Sequence, residues 1–465
     1  MARIPTDSLN MSPTTIAGGP ANRREFIKKS AAAAATVAAV SSLKTPVYGQ
    51  NKAPSTGRVI GANDRIVCGF VGVGGQGFNA HVRTCKDHQS RNNTALAAVN
   101  DVSKTRVAQA RQHVGDGCEG YDDYRKIMER KDVDVIFCST VDHWHTAVTL
   151  AALQSGKHVY VEKPMTRYLG EAFDIYDMAK RTGKLVNVGS QGSSDRKWHQ
   201  AAKWIKEGKI GPVVMCQGSY MRNNPKGEWN YGIADWASAG DIDWQQWLGP
   251  VANKVPFNAD HYFRWRKYYP YCSGLLGDLI PHKLHPYMLA TGNPEFPTRV
   301  ASVGNKSFKT DRNTPGTPER DVDEIVQIIA EFPSGMVMHV TSSTVNETGT
   351  QELIRGHHAN LQMGGNRVEL RPERPFTEEV DPEVSEQFPG ESVAAHHVDF
   401  FDAIRTGRQP NAGIDLAIRV QTVISLAEMS DRLNAMCLFD EKTRKVTTLD
   451  GREVPALTYG SNKLS

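Results

Sequence analysis

The chain has 465 residues, 55 Lys plus Arg against 51 Asp plus Glu, and a formal net charge of +4. That length supports two or three domains with their own cores, and the near balance of charge excludes a disordered polyelectrolyte. The excess sits at one end: residues 1–49 carry Arg3, Arg23, Arg24, Lys28, Lys29 and Lys44 against Asp7 and Glu25, which leaves 49 basic and 49 acidic residues for the rest. A nucleic-acid or membrane-surface protein is expected to keep a basic excess in its folded body, so no nucleic-acid partner is expected.

At the front, Asn22-Arg23-Arg24-Glu25-Phe26-Ile27-Lys28 precedes an Ala-rich apolar run over 31–40. Residues 1–49 resemble a twin-arginine export signal, cut near Gln50 after Val47-Tyr48-Gly49, which places the protein in the periplasm. The alternative is an Ala-rich tail with a chance arginine pair. A run of ten residues is too short to span a bilayer, which needs about 20, so no stable membrane anchor is expected. The seven cysteines are scattered without a C-x-x-C pair, which is neither a disulfide framework nor a cysteine zinc site.

After a linker over 50–58, the chain alternates continuous apolar runs with helical spacers. The runs cover 65–71, 94–99, 134–139, 158–161 and 184–188. Continuous apolarity predicts strands buried on both faces, joined by right-handed parallel crossovers. The fold class is α/β: an N-terminal doubly wound Rossmann domain over 59–190, then a C-terminal α+β domain over 191–440 with a large, mostly antiparallel open sheet. In the second domain, runs 325–332 and 337–341 flank Pro333-Ser334-Gly335 as a hairpin, and helices over 397–406 and 416–433 are expected to close the sheet. Residues 441–465 are read as a C-terminal tail.

Gly72, Gly74 and Gly77, in the run Gly72-Val73-Gly74-Gly75-Gln76-Gly77, directly follow the first strand and open a helix. That context predicts a dinucleotide pyrophosphate on the helix N-terminus, with Gly75 and Gln76 in the same turn. Asp101 follows the second strand, 24 residues beyond Gly77, where its carboxylate can accept bonds from ribose hydroxyls and repel a 2′-phosphate. NAD is therefore the expected cofactor. Ser103 and Lys104 leave NADP open.

The segments Thr140-Val141-Asp142-His143-Trp144-His145 and Val161-Glu162-Lys163-Pro164 resemble the glucose-fructose oxidoreductase, inositol dehydrogenase and MocA (Gfo/Idh/MocA) family. Similar pieces recur at 188–192, 247–250, 263–265 and 402–407, so the resemblance runs through both domains. It implies that Lys163 lies beside nicotinamide and substrate and polarises the reacting oxygen, with Pro164 forming a cis peptide, and that Thr140, His143, His145 and Glu162 lie near the cofactor. It also implies that His282 takes the hydroxyl proton as hydride leaves, and that Asp278 binds substrate hydroxyls, the pair sharing one helical face at spacing i, i+4. Two departures stand out: the usual glycine triplet is reduced to Ser273-Gly274, and His285 occupies a commonly acidic position. A divalent metal on Asp278, His282 and His285 is the alternative, disfavoured because Pro286 would kink the helix, so no metal is expected. Tyr220, Trp229 and Tyr262 are read either as sugar-stacking or as core aromatics.

The resemblance implies a carbohydrate or polyol substrate, tightly bound NAD(P), and a homo-oligomer, dimer or tetramer. Two alternatives accompany this oxidoreductase reading. One is a redox-assisted glycosidase or lyase similar to glycoside hydrolase family 109; the other is a non-catalytic sugar-binding protein.

Overall fold

The computed structural model describes residues 64–460. The export signal expected at 1–49 and the linker at 50–58 lie outside the described residues.

Six parallel strands form the first sheet: β1 Ile66–Val71, β2 Thr94–Asn100, β3 Glu119–Tyr121, β4 Val135–Cys138, β5 His158–Val161 and β6 Val186–Val188. Their order is β3-β2-β1-β4-β5-β6. The order reverses direction beside β1, and the crevice beyond the strands' C-terminal ends at such a point is where α/β folds bind ligands. β3 is short and half-buried, so it gives no apolar run in the sequence. β1, β4 and β5 are nearly fully buried because helices cover both faces, which is why they read as unbroken apolar stretches.

The second sheet contains β7 Val213–Asn223, β8 Arg299–Asn305, β9 Ile325–Glu331, β10 Val337–Ser343, β11 Val345–Asn346, β12 Leu353–Gly356, β13 Ala359–Gln362, β14 Glu369–Pro372, β15 Glu383–Val384, β16 Cys437–Asp440 and β17 Lys445–Thr447. Its order is β15-β14-β13-β12-β7-β10-β9-β8-β16-β17, with β11 on β7. Every pairing is antiparallel except β7 with β10. The β9–β10 hairpin turns at Pro333–Gly335, as its sequence predicts. Strand alternation buries Val326, Ile328 and Ala330 of β9 on one face and leaves Ile329 exposed on the other. Residues 445–447, read as tail, extend this sheet instead.

The two helices expected to close the second sheet do different jobs. Ile414–Leu433 is buried along most of its length, with polar Gln421, Thr422, Ser425 and Glu428 among its buried residues, and lies between β8 and helix Leu169–Thr182 of the first domain. Val393–Thr406 packs His397, Phe400 and Phe401 against Phe137 and Tyr160, so it covers the first sheet rather than the second. Its apolar stripe meets strand side chains that the crossover helices leave uncovered. Among the described residues no helix is long and apolar enough to cross a membrane. All seven cysteines are buried and unpaired.

Candidate active site

A cavity of about 750 Å³ opens where the C-terminal ends of β1, β2, β4 and β5 face the second domain. At one end is the glycine turn. Gly72 has φ of +82°, and a Cβ there would lie 2.7 Å from the backbone of Ser139 and Thr140. A Cβ on Gly77 would lie 1.9 Å from the Gly72 carbonyl oxygen, so the helix can start against the strand only with glycine here. Gly75 meets nothing within 4 Å and, with Gln76, lines the cavity. Ser139 Oγ at the same end is buried without a partner. An open backbone cradle with an unpaired hydroxyl beside it fits a pyrophosphate.

Asp101 closes the other side of this end. Its carboxylate accepts from the backbone N–H groups of Val73 and Ser103, each at 3.0 Å. Burial raises its pKa, against which the Arg106 guanidinium 4.0 Å away and these hydrogen bonds act. Arg106 covers Gly74 and stacks over Tyr262 at 4.7 Å. Its position five residues beyond Asp101, one turn into helix Lys104–Val114, was the available sequence signal, and the motif alone passed over it.

Glu162 is fixed by a buried relay. His81 Nε2 lies 2.8 Å from Glu162 Oε1, His81 Nδ1 lies 2.9 Å from His397 Nε2, and His397 Nδ1 lies 3.6 Å from Cys85 Sγ. Burial opposes the Glu162 charge, but the hydrogen bond and charge of His81 prevail and hold its pKa down at about 2. Gly189 permits this placement, since a Cβ there would meet the carboxylate at 2.8 Å.

Lys163 follows, and its bond to Pro164 is cis. Lys163 Nζ donates to Asp278 Oδ1 at 2.6 Å and to the Asp278 carbonyl at 2.7 Å. Arg266 Nε donates to the same Oδ1 at 3.1 Å, and the Trp229 indole donates to Oδ2 at 3.1 Å. Burial of Asp278 is outweighed by Lys163 and then Arg266, which hold its carboxyl far below the usual range. Trp229 is thus a buried anchor for Asp278, whereas Tyr220 and Tyr262 line the cavity.

His282 also lines the cavity, its ring 5.2 Å from that of Tyr220 and its Nδ1 buried without a partner. Burial, and then the Lys163 charge, push its pKa down to about 3, so the ring is neutral at physiological pH. Asp278 and His282 do not share one regular helix. A short helix, Leu275–Asp278, ends before a second begins at Pro281, and the Ile280 amide donates to the carbonyl of Leu275. Pro281 occupies the first position of the new helix, where its missing N–H costs nothing. Both side chains still reach the cavity. His285 turns inward, buried, with Nδ1 3.1 Å from the Pro281 carbonyl. Pro286 sits inside the helix Pro281–Ala290. Among the described residues, no three His, Cys, Asp or Glu side chains are grouped to hold a metal.

Two histidines of the Thr140–His145 segment separate. His145 lines the cavity and bridges the carbonyls of Pro164 at 2.7 Å and Thr140 at 3.2 Å. His143 does not line the cavity, and its Nε2 lies 2.8 Å from the Trp247 carbonyl oxygen. The neighbouring Asp142, which the motif contains but which drew no role, is 4 % exposed and lines the cavity.

A glycine turn at a strand-order reversal, an acidic residue after β2 and a lysine at the end of β5 line one cavity, the layout of a nucleotide-binding Rossmann site. Residues 66–190 match the sequence profile described as "Oxidoreductase family, NAD-binding Rossmann fold". That profile is the nucleotide-binding domain of the Gfo/Idh/MocA oxidoreductases, and it spans the first domain of this chain. It is 27% identical over 261 residues to a glycosyl hydrolase family 109 protein of Saccharopolyspora erythraea, covering 51% of this chain and 56% of the relative. It is 26% identical over 266 residues to an alpha-N-acetylgalactosaminidase of Shewanella oneidensis, with the same shares. The chain spans about half the length of the curated relatives it matches. Among solved structures, levoglucosan dehydrogenase in complex with NADH and levoglucosan is similar with a TM-score of 0.61 and 18% identity, over 84% of this chain and 100% of that one. Aldose-aldose oxidoreductase from Caulobacter crescentus is similar with a TM-score of 0.60 and 18% identity, over 81% and 100%. These likenesses extend the shared fold across both domains.

Proposed function

We propose that the protein is an NAD-dependent oxidoreductase acting on a secondary hydroxyl of a sugar, glycoside or polyol. The observation that carries this reading is the Lys163 ammonium, placed by Asp278 from the other domain, in one cavity with His282 and the glycine turn. Gly72, Gly74, Gly75 and Gln76 would hold the pyrophosphate and Asp101 the ribose. Bound nicotinamide supplies the acceptor and donor of hydride. Lys163 donates to the reacting oxygen and stabilises negative charge as it develops. His282, neutral with an unpaired ring nitrogen, takes the hydroxyl proton. Asp278 aims Lys163, and the remaining polar lining receives the other hydroxyls.

The test is isothermal calorimetry with NAD and mass spectrometry of the purified protein, followed by NADH absorbance with a panel of sugars and polyols. Micromolar or tighter NAD binding and sugar-dependent reduction are expected. No nucleotide retained and no affinity for one overturns the reading. A second reading, redox-assisted glycoside cleavage in which the same nucleotide is reduced and reoxidised, is favoured by the relatives named as glycosyl hydrolase family 109 proteins. Sugar release without net NADH distinguishes it.

The Arg23-Arg24 pair supports export by the twin-arginine route to the periplasm, a route that carries folded proteins and so would deliver the cofactor already bound. The outer face of the second sheet, where Val303 is 71 % and Ile329 54 % exposed, supports association into a dimer or tetramer. Light scattering of the purified protein tests this.

A further inference from the structure

We propose that Arg222 and Arg266 form a carboxylate-binding subsite beside the reacting groups, so that the substrate is an acidic sugar, a uronic acid or its glycoside. This narrows the substrate class of the hydride-transfer reading above and rests on that reading.

Both arginines line the cavity, each next to a partner of a reacting side chain. Arg266 Nε donates to Asp278 Oδ1 at 3.1 Å, the same oxygen that takes Lys163 Nζ at 2.6 Å. Its guanidinium stacks on the Trp265 ring at 4.1 Å, and the next residue, Lys267, is fully buried with Nζ donating to the Pro318 carbonyl at 2.6 Å. With Nε taken and one face covered, the two terminal nitrogens remain. They present an edge of parallel N–H groups that makes no hydrogen bond among the described residues.

Arg222 comes from β7, where strand alternation puts it on the same face as Tyr220. Its guanidinium lies 5.3 Å over the Tyr220 ring, and that ring lies 5.2 Å from the His282 ring. Arg222 Nη1 donates to Glu228 Oε1 at 2.7 Å, which holds the side chain while 39 % of it stays exposed.

A neutral sugar offers hydroxyls that donate as well as accept, and a site built for it supplies acceptors. Here donors dominate, because Lys163, Arg222 and Arg266 can only donate. Asp278 already accepts from Lys163, Arg266 and Trp229, and Glu162 is held by His81. A charge on Asp142, which also lines the cavity, would repel an anion, but burial pushes its carboxyl up to about 7, so much of it is uncharged at neutral pH. A carboxylate only accepts, and its two oxygens match the planar edge of a guanidinium.

The test is calorimetry on the NAD-loaded full chain with matched pairs: glucuronate against glucose, galacturonate against galactose, mannuronate against mannose, and their methyl glycosides. NADH absorbance is then followed with each. At least one acid should bind about 10- to 100-fold more tightly than its neutral partner, with the same preference in kcat/KM. That advantage should shrink between about 0.05 and 0.5 M KCl. Arg222→Gln should remove most of it by raising KM rather than lowering kcat. Arg222→Lys should keep a part, since an ammonium retains the charge but not the fork. Equal affinity for every acid and its neutral partner overturns the inference, and so does a preference for hexose sulfates over the uronates. A uronate preference untouched in both variants overturns it too. NADH formation from neutral sugars without a preference for the acids would sink the subsite and keep the oxidoreductase reading. Uronate-selective binding without NADH formation from any sugar would keep the subsite and sink that reading.

Discussion

The two ends of the cavity are built by different means. The nucleotide end is made by backbone: a positive-φ glycine, a second glycine that lets a helix start against a strand, and Asp101 held by two amides within the same domain. The reaction end is made by charges that meet from distant parts of the chain, Lys163 with Asp278 and Arg266, backed by Arg167 with Glu428. Backbone shape tolerates no added atom but is indifferent to charge. The charge cluster tolerates atoms but not the loss of one partner, because a buried charge left unpaired is costly. The two ends should therefore fail differently.

The largest effect is expected at the reaction end. Lys163→Ala and His282→Ala should each lower turnover by about 10²–10⁴-fold, with NAD affinity, read by calorimetry, close to the parent. Loss of NAD binding in either would show that the two ends are not separable. Next, Glu428→Gln should destabilise the fold by about 3 kcal/mol or more in urea unfolding, because it strands the Arg167 guanidinium between the domains. An unchanged midpoint would mean that the cluster does not depend on its buried support.

Asp142 gives a pH-dependent contrast. Its folded pKa of about 7 lies above the ordinary carboxylate value, so the fold binds this proton more tightly than the unfolded chain does. Stability from this group is present at low pH and is lost as pH rises towards 7. Asp142→Asn should therefore be more stable than the parent at pH 8, by about 4 kcal/mol at most, and nearly equal to it at pH 4. Arg266, Lys163, Asp278 and Arg167 are the charges that act on this carboxyl and set the size of the difference. A gain of equal size at both pH values would show that the carboxyl is not buried as described. The smallest change is structural: Gly77→Ala should weaken NAD about tenfold or more, equivalent to about 1.4 kcal/mol. Gly75→Ala, which meets open space, should stay within about twofold. Equal effects would erase the distinction between shape and charge.

The legibility of the site follows the same division. The glycine turn, Asp101 and the lysine at the end of β5 were readable because each lies within a few residues of a buried strand whose apolar run marks it. Asp278 and His282 were readable only through resemblance, and the regular helix expected to join them is interrupted at Pro281. His143 and His145 look alike in sequence, yet one is turned to the Trp247 carbonyl and the other to the cavity. Asp142 and Arg266 carry no distinguishing local signal, and Arg106 has only its place five residues beyond Asp101.

The sequence alone determined the fold class: buried parallel strands, a nucleotide turn whose glycines answer to local sterics, and as many acidic as basic residues beyond residue 49. Strand periodicity and glycine conformations depend on neighbours a few residues away, so they are written locally. The tertiary structure decided which carboxylates are paired, which histidines are neutral and which helix covers which sheet. Those outcomes depend on burial and on polar groups brought together from distant parts of the chain, as with His81 and His397, 316 residues apart, and no local pattern encodes them.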